Sequence, residues 1–158
     1  MNVRGSLSRR EVERFLEETT VPIRIACQTP AGHLWMVSVW FQLEPAVPAE
    51  DGDDEWILEC ATAVSSKLAT YLSEPTEVAF EVSTNQPPYA GVRGRATATT
   101  EPDPEKETLR ELLERYLDGT DSRLARNLLR EEREEVVITI DPAVVYGWDF
   151  SDRMTARE

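Results

Sequence analysis

Two serines and a lysine stand side by side at Ser65, Ser66 and Lys67, after an apolar stretch and at the start of a short helical pattern. The first turn of a helix presents free backbone N–H groups and the positive end of the helix dipole. Hydroxyl and ammonium donors at that position form a candidate site for a phosphate group. The same residues also fit an ordinary serine cap followed by an exposed lysine, and spacing alone does not separate the two interpretations.

The sequence offers few candidate side chains for other catalytic chemistry or for binding a metal ion. His33 is the single histidine and follows a turn glycine, so we expect it to be exposed, with no Ser-His-Asp triad and no metal cluster. Cys27 and Cys60 lie in separate strand-like stretches and are expected to be buried, reduced thiols. The runs Glu131-Glu132 and Glu134-Glu135 are expected to be solvated charge. No glycine-rich phosphate loop of the Walker or Rossmann type is present.

The strongly negative net charge of the chain limits the kinds of partner that it can bind. The formal net charge is -13 and the pI is about 4.6, which argues against nucleic acid and against anionic membrane surfaces. No stretch approaches the roughly 18 apolar residues of a membrane span. Residues 1–10 are polar and lack the apolar core of a signal peptide. We therefore expect a cytoplasmic, acidic protein without a nucleic-acid or membrane partner.

Short strands bounded by turn residues dominate the pattern. Predicted strands cover residues 23–27, 34–43, 56–61, 78–82, 92–98, 136–140 and 144–150. Strands outnumber helices and do not alternate with them regularly. This favours a mainly β, α+β protein built on a small antiparallel barrel over a doubly wound sheet.

Helices are predicted at the start, in the middle and late in the chain. Ser8 and Glu11 form a capping-box pattern, which indicates a helix that begins there. A short helix is predicted over residues 65–72. Asp103 is expected to cap a longer helix and Asp121 the helix after it. With 158 residues, the usual size of one domain, residues 1–158 are expected to form a single domain.

The order of several weak motifs resembles one known family. The motifs are a turn that ends in Gly32, the strand Trp35-Met36-Val37-Ser38-Val39-Trp40-Phe41, the triplet Ser65-Ser66-Lys67, the segment Tyr89-Ala90-Gly91-Val92-Arg93 and a closing Trp148-Asp149-Phe150. In this order they resemble the pyridoxamine 5'-phosphate oxidase-like, FMN-binding split β-barrel family. No single motif is specific, so the resemblance rests on their order.

The resemblance implies a fold, a cofactor and an assembly. The fold would be a six-stranded antiparallel split β-barrel with a few packed helices, forming a homodimer with FMN at the subunit interface. Lys67 would hold the phosphate with support from Ser65 and Ser66, and Trp148 would approach from the partner subunit. The isoalloxazine ring of the flavin would lie beside Val37, Ser38, Val39 and Trp40. Backbone groups for the ring would come from Ala61 and Thr62.

The sequence departs from the family pattern at several cationic positions. Val37 and Ser66 stand where the classical enzymes carry arginine, and Gln42 stands where a lysine often ends the strand. No histidine accompanies Arg153 after Trp148, so oxidation of vitamin B6 itself is not expected. The resemblance implies an FMN-dependent oxidoreductase that acts on a small-molecule substrate of unknown identity. The alternatives are a deazaflavin-dependent reductase and a non-catalytic flavin-binding or dimeric barrel, which the missing arginines favour.

Overall fold

A computed structural model of the protein describes residues 1–45 and 55–155. One mainly antiparallel sheet dominates it, in the order β3-β2-β6-β7-β8-β5-β4, with β1 added in parallel beside β8. The predicted mainly β fold with a few helices is confirmed. The strands are β1 (Asn2–Gly5), β2 (Ile23–Gln28), β3 (Leu34–Val39), β4 (Gln42–Pro45), β5 (Trp56–Ala63), β6 (Thr76–Ser83), β7 (Ala90–Pro102) and β8 (Glu135–Asp149).

The six strands that the resemblance implies are too few, because the sheet has eight strands among the described residues. The predicted strand 34–43 is interrupted at Trp40 and Phe41 and forms β3, which pairs with β2, and β4, which pairs with β5. β1 has four residues, too few to give a recognisable alternation. The predicted strands 136–140 and 144–150 are parts of one long strand, β8, which contains a register shift against β7.

The sheet closes on itself because its two edge strands are consecutive in the chain. β3 and β4 lie at opposite ends of a path of seven strands, yet only Trp40 and Phe41 separate them. In a flat sheet these edges would lie about 29 Å apart at the usual strand spacing. Three Cα steps from Val39 to Gln42 span at most about 11 Å. The sheet therefore curls until its edges meet, as in a split β-barrel.

Five helices flank the sheet in the described part of the chain: α1 (Arg9–Glu18), α2 (Lys67–Tyr71), α3 (Glu107–Leu117), α4 (Arg123–Leu128) and α5 (Ser151–Thr155). The predicted capping box at α1 is present. Ser8 Oγ accepts a hydrogen bond from the Glu11 N–H, and Glu11 Oε2 accepts one from the Ser8 N–H at 2.7 Å. None of these helices is long and apolar enough to cross a membrane.

Two predicted caps are displaced by a few residues. α3 begins at Glu107 rather than directly after Asp103, although Asp103 Oδ1 still accepts a hydrogen bond from the Glu107 N–H at 3.0 Å. Ser122 rather than Asp121 caps α4 and accepts from the Ala125 N–H at 3.0 Å. Sequence patterns locate such helices well but not their first residue, because neighbouring polar residues can each serve as the cap.

The buried apolar side chains form two clusters. The larger cluster fills the barrel and includes the fully buried Ile25, Phe41, Leu58, Val92 and Ile138. The smaller one lies on the outer face of β5, under α3 and α4, around Leu109, Leu113 and Ala125. As predicted, Cys27 and Cys60 are buried free thiols and His33 is exposed.

Three carboxylates meet between α3 and the strands β4 and β5. Gln42 Nε2 donates a hydrogen bond to Glu111 Oε2 at 2.6 Å beside Glu44 and Glu59. Burial raises the pKa of Glu59, and the charges of Glu44 and Glu111 raise it further, while hydrogen bonds from Gln42 and Thr108 partly oppose this. Burial and Glu111 likewise raise the pKa of Glu44.

We predict that Glu59→Gln stabilises the protein at neutral pH. A carboxyl group whose pKa is raised by folding stabilises the fold below its unfolded pKa, and that contribution is lost as the pH rises through the folded pKa. At pH 7 the charge of Glu59 therefore opposes folding, and its removal should add roughly 0.2–1 kcal/mol to the free energy of unfolding, the range for a cross-strand charge pair. The gain should shrink as the pH is lowered towards 4.

Urea unfolding of the parent and the variant at pH 7, 5.5 and 4.5 measures this difference. Glu17→Gln is the matched control, because Glu17 is exposed on α1 and its loss should change stability little at any of these pH values. A stability of Glu59→Gln at or below that of the parent at pH 7 would contradict the prediction.

Candidate functional site

A cavity of about 260 Å³ lies where the end of β3 faces β5, beneath α3 and α4. It is called the β3–β5 cavity below. Ser38, Val39, Trp40 and Ala61, four of the residues that the sequence predicts for a cofactor, line it together. They meet because closure of the sheet brings the end of one edge strand beside β5. The other lining residues are Pro22, Leu109, Leu112, Leu128 and Arg133.

Trp40 is the aromatic residue of this lining, and α3 covers it. Its indole stacks on the ring of Tyr116, with 5.1 Å between the ring centroids and 14° between the planes. The Tyr116 hydroxyl accepts a hydrogen bond from the Phe41 N–H at 3.3 Å. Burial raises the pKa of Tyr116, which keeps the phenol protonated at neutral pH, although the Phe41 N–H and Arg115 oppose the shift.

Arg115 fixes the position of α3 against the barrel. Its Nη2 donates hydrogen bonds to the backbone oxygens of Leu16 and Thr19 at the end of α1, both at 2.7 Å. Its guanidinium also lies 5.5 Å from the centre of the Phe41 ring. Such charge-assisted and cation–π contacts hold one orientation of the helix. Tyr116, the next residue, is thereby held over Trp40.

Two of the predicted cofactor residues lie elsewhere. Val37 is two residues from Val39, and its side chain packs against the barrel core. Thr62 pairs with Val136 in the sheet and does not line the β3–β5 cavity. The backbone alternation explains the position of Thr62, because successive residues of a strand face opposite sides of the sheet. Val37 lies on the same face as Val39 but farther from the end of β3, where the cavity lies.

The predicted phosphate-binding triplet opens α2, but its three side chains differ in environment. α2 begins at Lys67, two residues later than predicted, and Ser66 is its cap, with Ser66 Oγ accepting from the Ala69 N–H at 3.0 Å. The Ser66 hydroxyl is thus engaged in the fold. Ser65 and Lys67 are exposed, and Lys67 makes no hydrogen bond or ion pair with another described residue. None of the three lines the β3–β5 cavity.

Trp148 lies near the end of β8, in a separate cavity of about 620 Å³. The Arg93 guanidinium lies 5.3 Å from its ring centre. Asp149, Phe150 and Arg153 line the same cavity. Within one chain, Trp148 is therefore not among the residues that meet at the β3–β5 cavity.

A comparison with protein families gives a match over most of the chain. Residues 8–148 match the model of the family described as pyridoxamine 5'-phosphate oxidase. The chain belongs to this family. The resemblance that the sequence motifs indicate is thereby confirmed over most of the chain. No curated protein matches this sequence.

Solved structures share the fold of this family member. The conserved hypothetical protein Rv2991 from Mycobacterium tuberculosis superposes with a TM-score of 0.66 at 19% identity, over 94% of this chain and 90% of that one. An F420 reductase gives 0.63 at 22% identity, over 84% and 94%. The FAD-binding protein from Mycobacterium smegmatis gives 0.57 at 15% identity, over 90% and 95%. At these identities the likeness establishes the fold.

Two residues of the site in this pyridoxamine 5'-phosphate oxidase family member are not predicted from the sequence. Tyr116 belongs to the apolar stripe of a predicted helix, and that stripe does not say which strand it will meet. Arg133 lies in a charged segment that resembles a solvated loop, and no local signal distinguishes it. Its Nε forms an ion pair with Glu135, which is buried rather than solvated as predicted.

Proposed function

We propose that the protein is an FMN-dependent oxidoreductase whose flavin ring binds at the β3–β5 cavity. The observation that carries the proposal is the meeting of Ser38, Val39, Trp40 and Ala61 at one cavity. The family resemblance assigns these residues to the cofactor, and membership of the family is independent of their geometry.

The lining of the cavity suits a flavin ring in part. Small-molecule sites combine flat and aliphatic surfaces with a few polar groups. This cavity offers such surfaces from Trp40, Val39 and the leucines of α3 and α4. The volume of about 260 Å³ lies below the roughly 300–1,000 Å³ of typical ligand pockets. One chain would therefore hold part of a flavin, and the rest would lie on the surface of the barrel.

Lys67 is the proposed anchor for the phosphate of the cofactor. It is exposed, without a partner among the described residues, and it follows Ala61 by six positions along the chain. In a chain of net charge -13, a bound anion needs a local cation, because the general field repels it. Ser65, also exposed, would add a hydroxyl donor, whereas Ser66 serves the cap of α2.

A second copy of the chain would complete the site. Leu34 and Met36 on the edge strand β3 are 85% and 64% exposed. Met36 borders a shallow depression of about 560 Å³ that combines apolar and charged side chains, among them Ala26, Ala79, Tyr146, Arg24, Glu81, Arg93 and Arg95. Exposed apolar side chains on an edge strand favour association with another surface. We propose that this surface is the dimer interface and that it covers the outer part of the flavin.

When bound, FMN supplies hydride transfer. This chain would orient the ring between β3 and β5 and exclude water from one side of it with the leucines of α3 and α4. Arg133 is the charged residue in the lining, and its ion pair with Glu135 partly offsets the positive charge that it brings to the edge of the cavity. A cation near the ring favours the reduced, anionic form of a flavin.

Two alternatives rest on specific observations. A deazaflavin coenzyme is favoured by the likeness to an F420 reductase structure with a TM-score of 0.63. A non-catalytic barrel is favoured by the stacking of Trp40 on Tyr116, because a ring already stacked on a neighbour offers less surface to a flavin.

The visible spectrum of the purified protein, mixed in turn with FMN and with a deazaflavin coenzyme and then desalted, separates these possibilities. We expect the flavin absorption bands to co-elute with the protein after FMN. Retention of the deazaflavin alone would support the reductase alternative. Retention of neither would contradict the proposed function and leave the non-catalytic barrel.

We predict that Lys67→Ala weakens FMN binding roughly tenfold to a hundredfold, the effect of one lost charge-assisted contact. The fold should survive, because Lys67 is exposed and packs against little. Riboflavin lacks the phosphate and should bind more weakly than FMN to the parent but about equally to the variant. Fluorescence titration of both flavins measures these affinities.

Arg123→Ala is the matched control for this titration, because it removes an exposed cation from α4, outside the proposed site. Its affinity for FMN should equal that of the parent. If Lys67→Ala is folded and binds FMN as tightly as the parent, the phosphate does not bind at Lys67.

We predict that the parent protein sediments as a dimer, at twice its 17.9 kDa chain mass. Met36→Glu would place a charge in the proposed interface and should yield monomers that bind FMN weakly. Leu124→Glu is the matched control, because Leu124 is 49% exposed on α4 and lies outside the depression beside Met36, so the dimer should stay intact. A monomeric parent, or a Met36→Glu variant that remains dimeric, would rule out this interface.

A further inference from the structure

A second cavity, of about 420 Å³, lies where β7 ends and β8 begins, beside the loop that leads into α3. It is called the carboxylate cavity below. Its lining combines the acidic residues Asp103 and Glu135 with an apolar wall of Val64, Pro102, Pro104 and Val136. The register of the sheet brings the two acids together, because Pro102 pairs with Val136 and the Asp103 N–H donates to the Glu135 backbone oxygen at 3.0 Å.

Each of the two acids leaves one carboxylate oxygen without a partner among the described residues. Asp103 is 8% exposed and Glu135 is 3% exposed. Asp103 Oδ1 accepts from the Glu107 N–H, but Asp103 Oδ2 accepts from no donor. Glu135 Oε1 is paired with the Arg133 Nε, but Glu135 Oε2 is also unpartnered. Buried carboxylate oxygens without donors are strongly unfavourable, so both oxygens need a donor from outside the described residues, either water or the N–H group of a bound guest.

The cations of the cavity do not meet this requirement. Lys106 is 7% exposed, and its ammonium donates to the backbone oxygen of Arg130 rather than to either acid. Arg133 serves the other oxygen of Glu135. Glu131 and Glu134 complete the lining, so four acidic side chains face two basic ones. The cavity is therefore suited to a positively charged guest.

The shape and composition of the cavity narrow the class of guest. Its volume lies within the roughly 300–1,000 Å³ range of small-molecule pockets. Among the described residues no three histidine, cysteine, aspartate or glutamate side chains are grouped so that they could hold a metal ion. Two separate carboxylate oxygens instead match two N–H donors on one cationic group, with the apolar wall against the remainder of the molecule.

We propose that the carboxylate cavity binds a small organic cation with an amidinium or guanidinium head and an apolar body, held by Asp103 Oδ2 and Glu135 Oε2. The site is separate from the proposed flavin site and does not depend on it. Arg133 lines both cavities, so a guest bound to Glu135 acts on the residue that borders the β3–β5 cavity.

Calorimetric titration of the full chain with benzamidine, and with benzamide as its neutral isostere, tests the proposal. Benzamidine should bind at least tenfold more tightly than benzamide. Asp103→Asn and Glu135→Gln should each weaken benzamidine binding roughly tenfold to a hundredfold, because each removes a charged acceptor. Asparagine retains the oxygen that accepts from the Glu107 N–H, so the start of α3 is preserved. Glu132→Gln, an exposed neighbour outside the cavity, is the matched control and should bind as the parent does.

Amide chemical shifts of the parent provide a second measurement that needs no variant. Benzamidine should perturb the amide signals of Asp103, Glu105 and Lys106 and of residues 133–136, and leave those of α5 unchanged. Three outcomes would overturn the proposal: no saturable binding of benzamidine, equal binding of benzamide, or shift changes located away from these two segments. Displacement of benzamidine by calcium would also overturn it, because the cavity would then be a metal site.

Discussion

The connection between β3 and β4 is the constraint on which the rest of the structure depends. These strands form the two edges of the sheet, and Trp40 and Phe41 alone join them. A link of this length requires the sheet to curl until its edges meet. Phe41 then points into the barrel, where it is fully buried, while Trp40 faces outward between the sheet and α3. One pair of residues thus contributes both to the core and to the candidate site.

The helices α3 and α4, which lie between β7 and β8 in the chain, cover the outer face of β5 and bury it. Leu109, Leu113 and Ala125 form a small apolar cluster there, and Trp40 and Ala61 pack against it. Arg115 binds the end of α1 and thereby sets the height of α3 above the sheet. The β3–β5 cavity is the space that this packing leaves. Its volume and its access therefore depend on the position of α3 as much as on the strands.

The acidic character of the chain has different consequences at the surface and in the interior. Exposed carboxylates are hydrated and act mainly through the general field. Glu59 is held near Glu44 and Glu111 beneath α3, and burial raises its pKa. Glu135 and Asp103 lie deeper and are tied into the backbone at the start of β8 and before α3. The interior carboxylates mark positions where the fold accepts an energetic cost, and such positions often serve a binding function.

The sequence by itself determined the class of fold, the family and the apolar faces. Alternation of side chains along a strand and the capping of α1 are local properties, so the mainly β pattern and the Ser8 cap follow from neighbouring residues. Tertiary structure alone decided the eight strands, because the break at Trp40 and the pairing of β1 depend on which strands meet. It also decided the burial of Glu135, which lies in a run of charges that looks solvated. Long-range contacts bring Tyr116 over Trp40 and Asp103 beside Glu135, and no local pattern of residues specifies contacts between segments so distant in the chain.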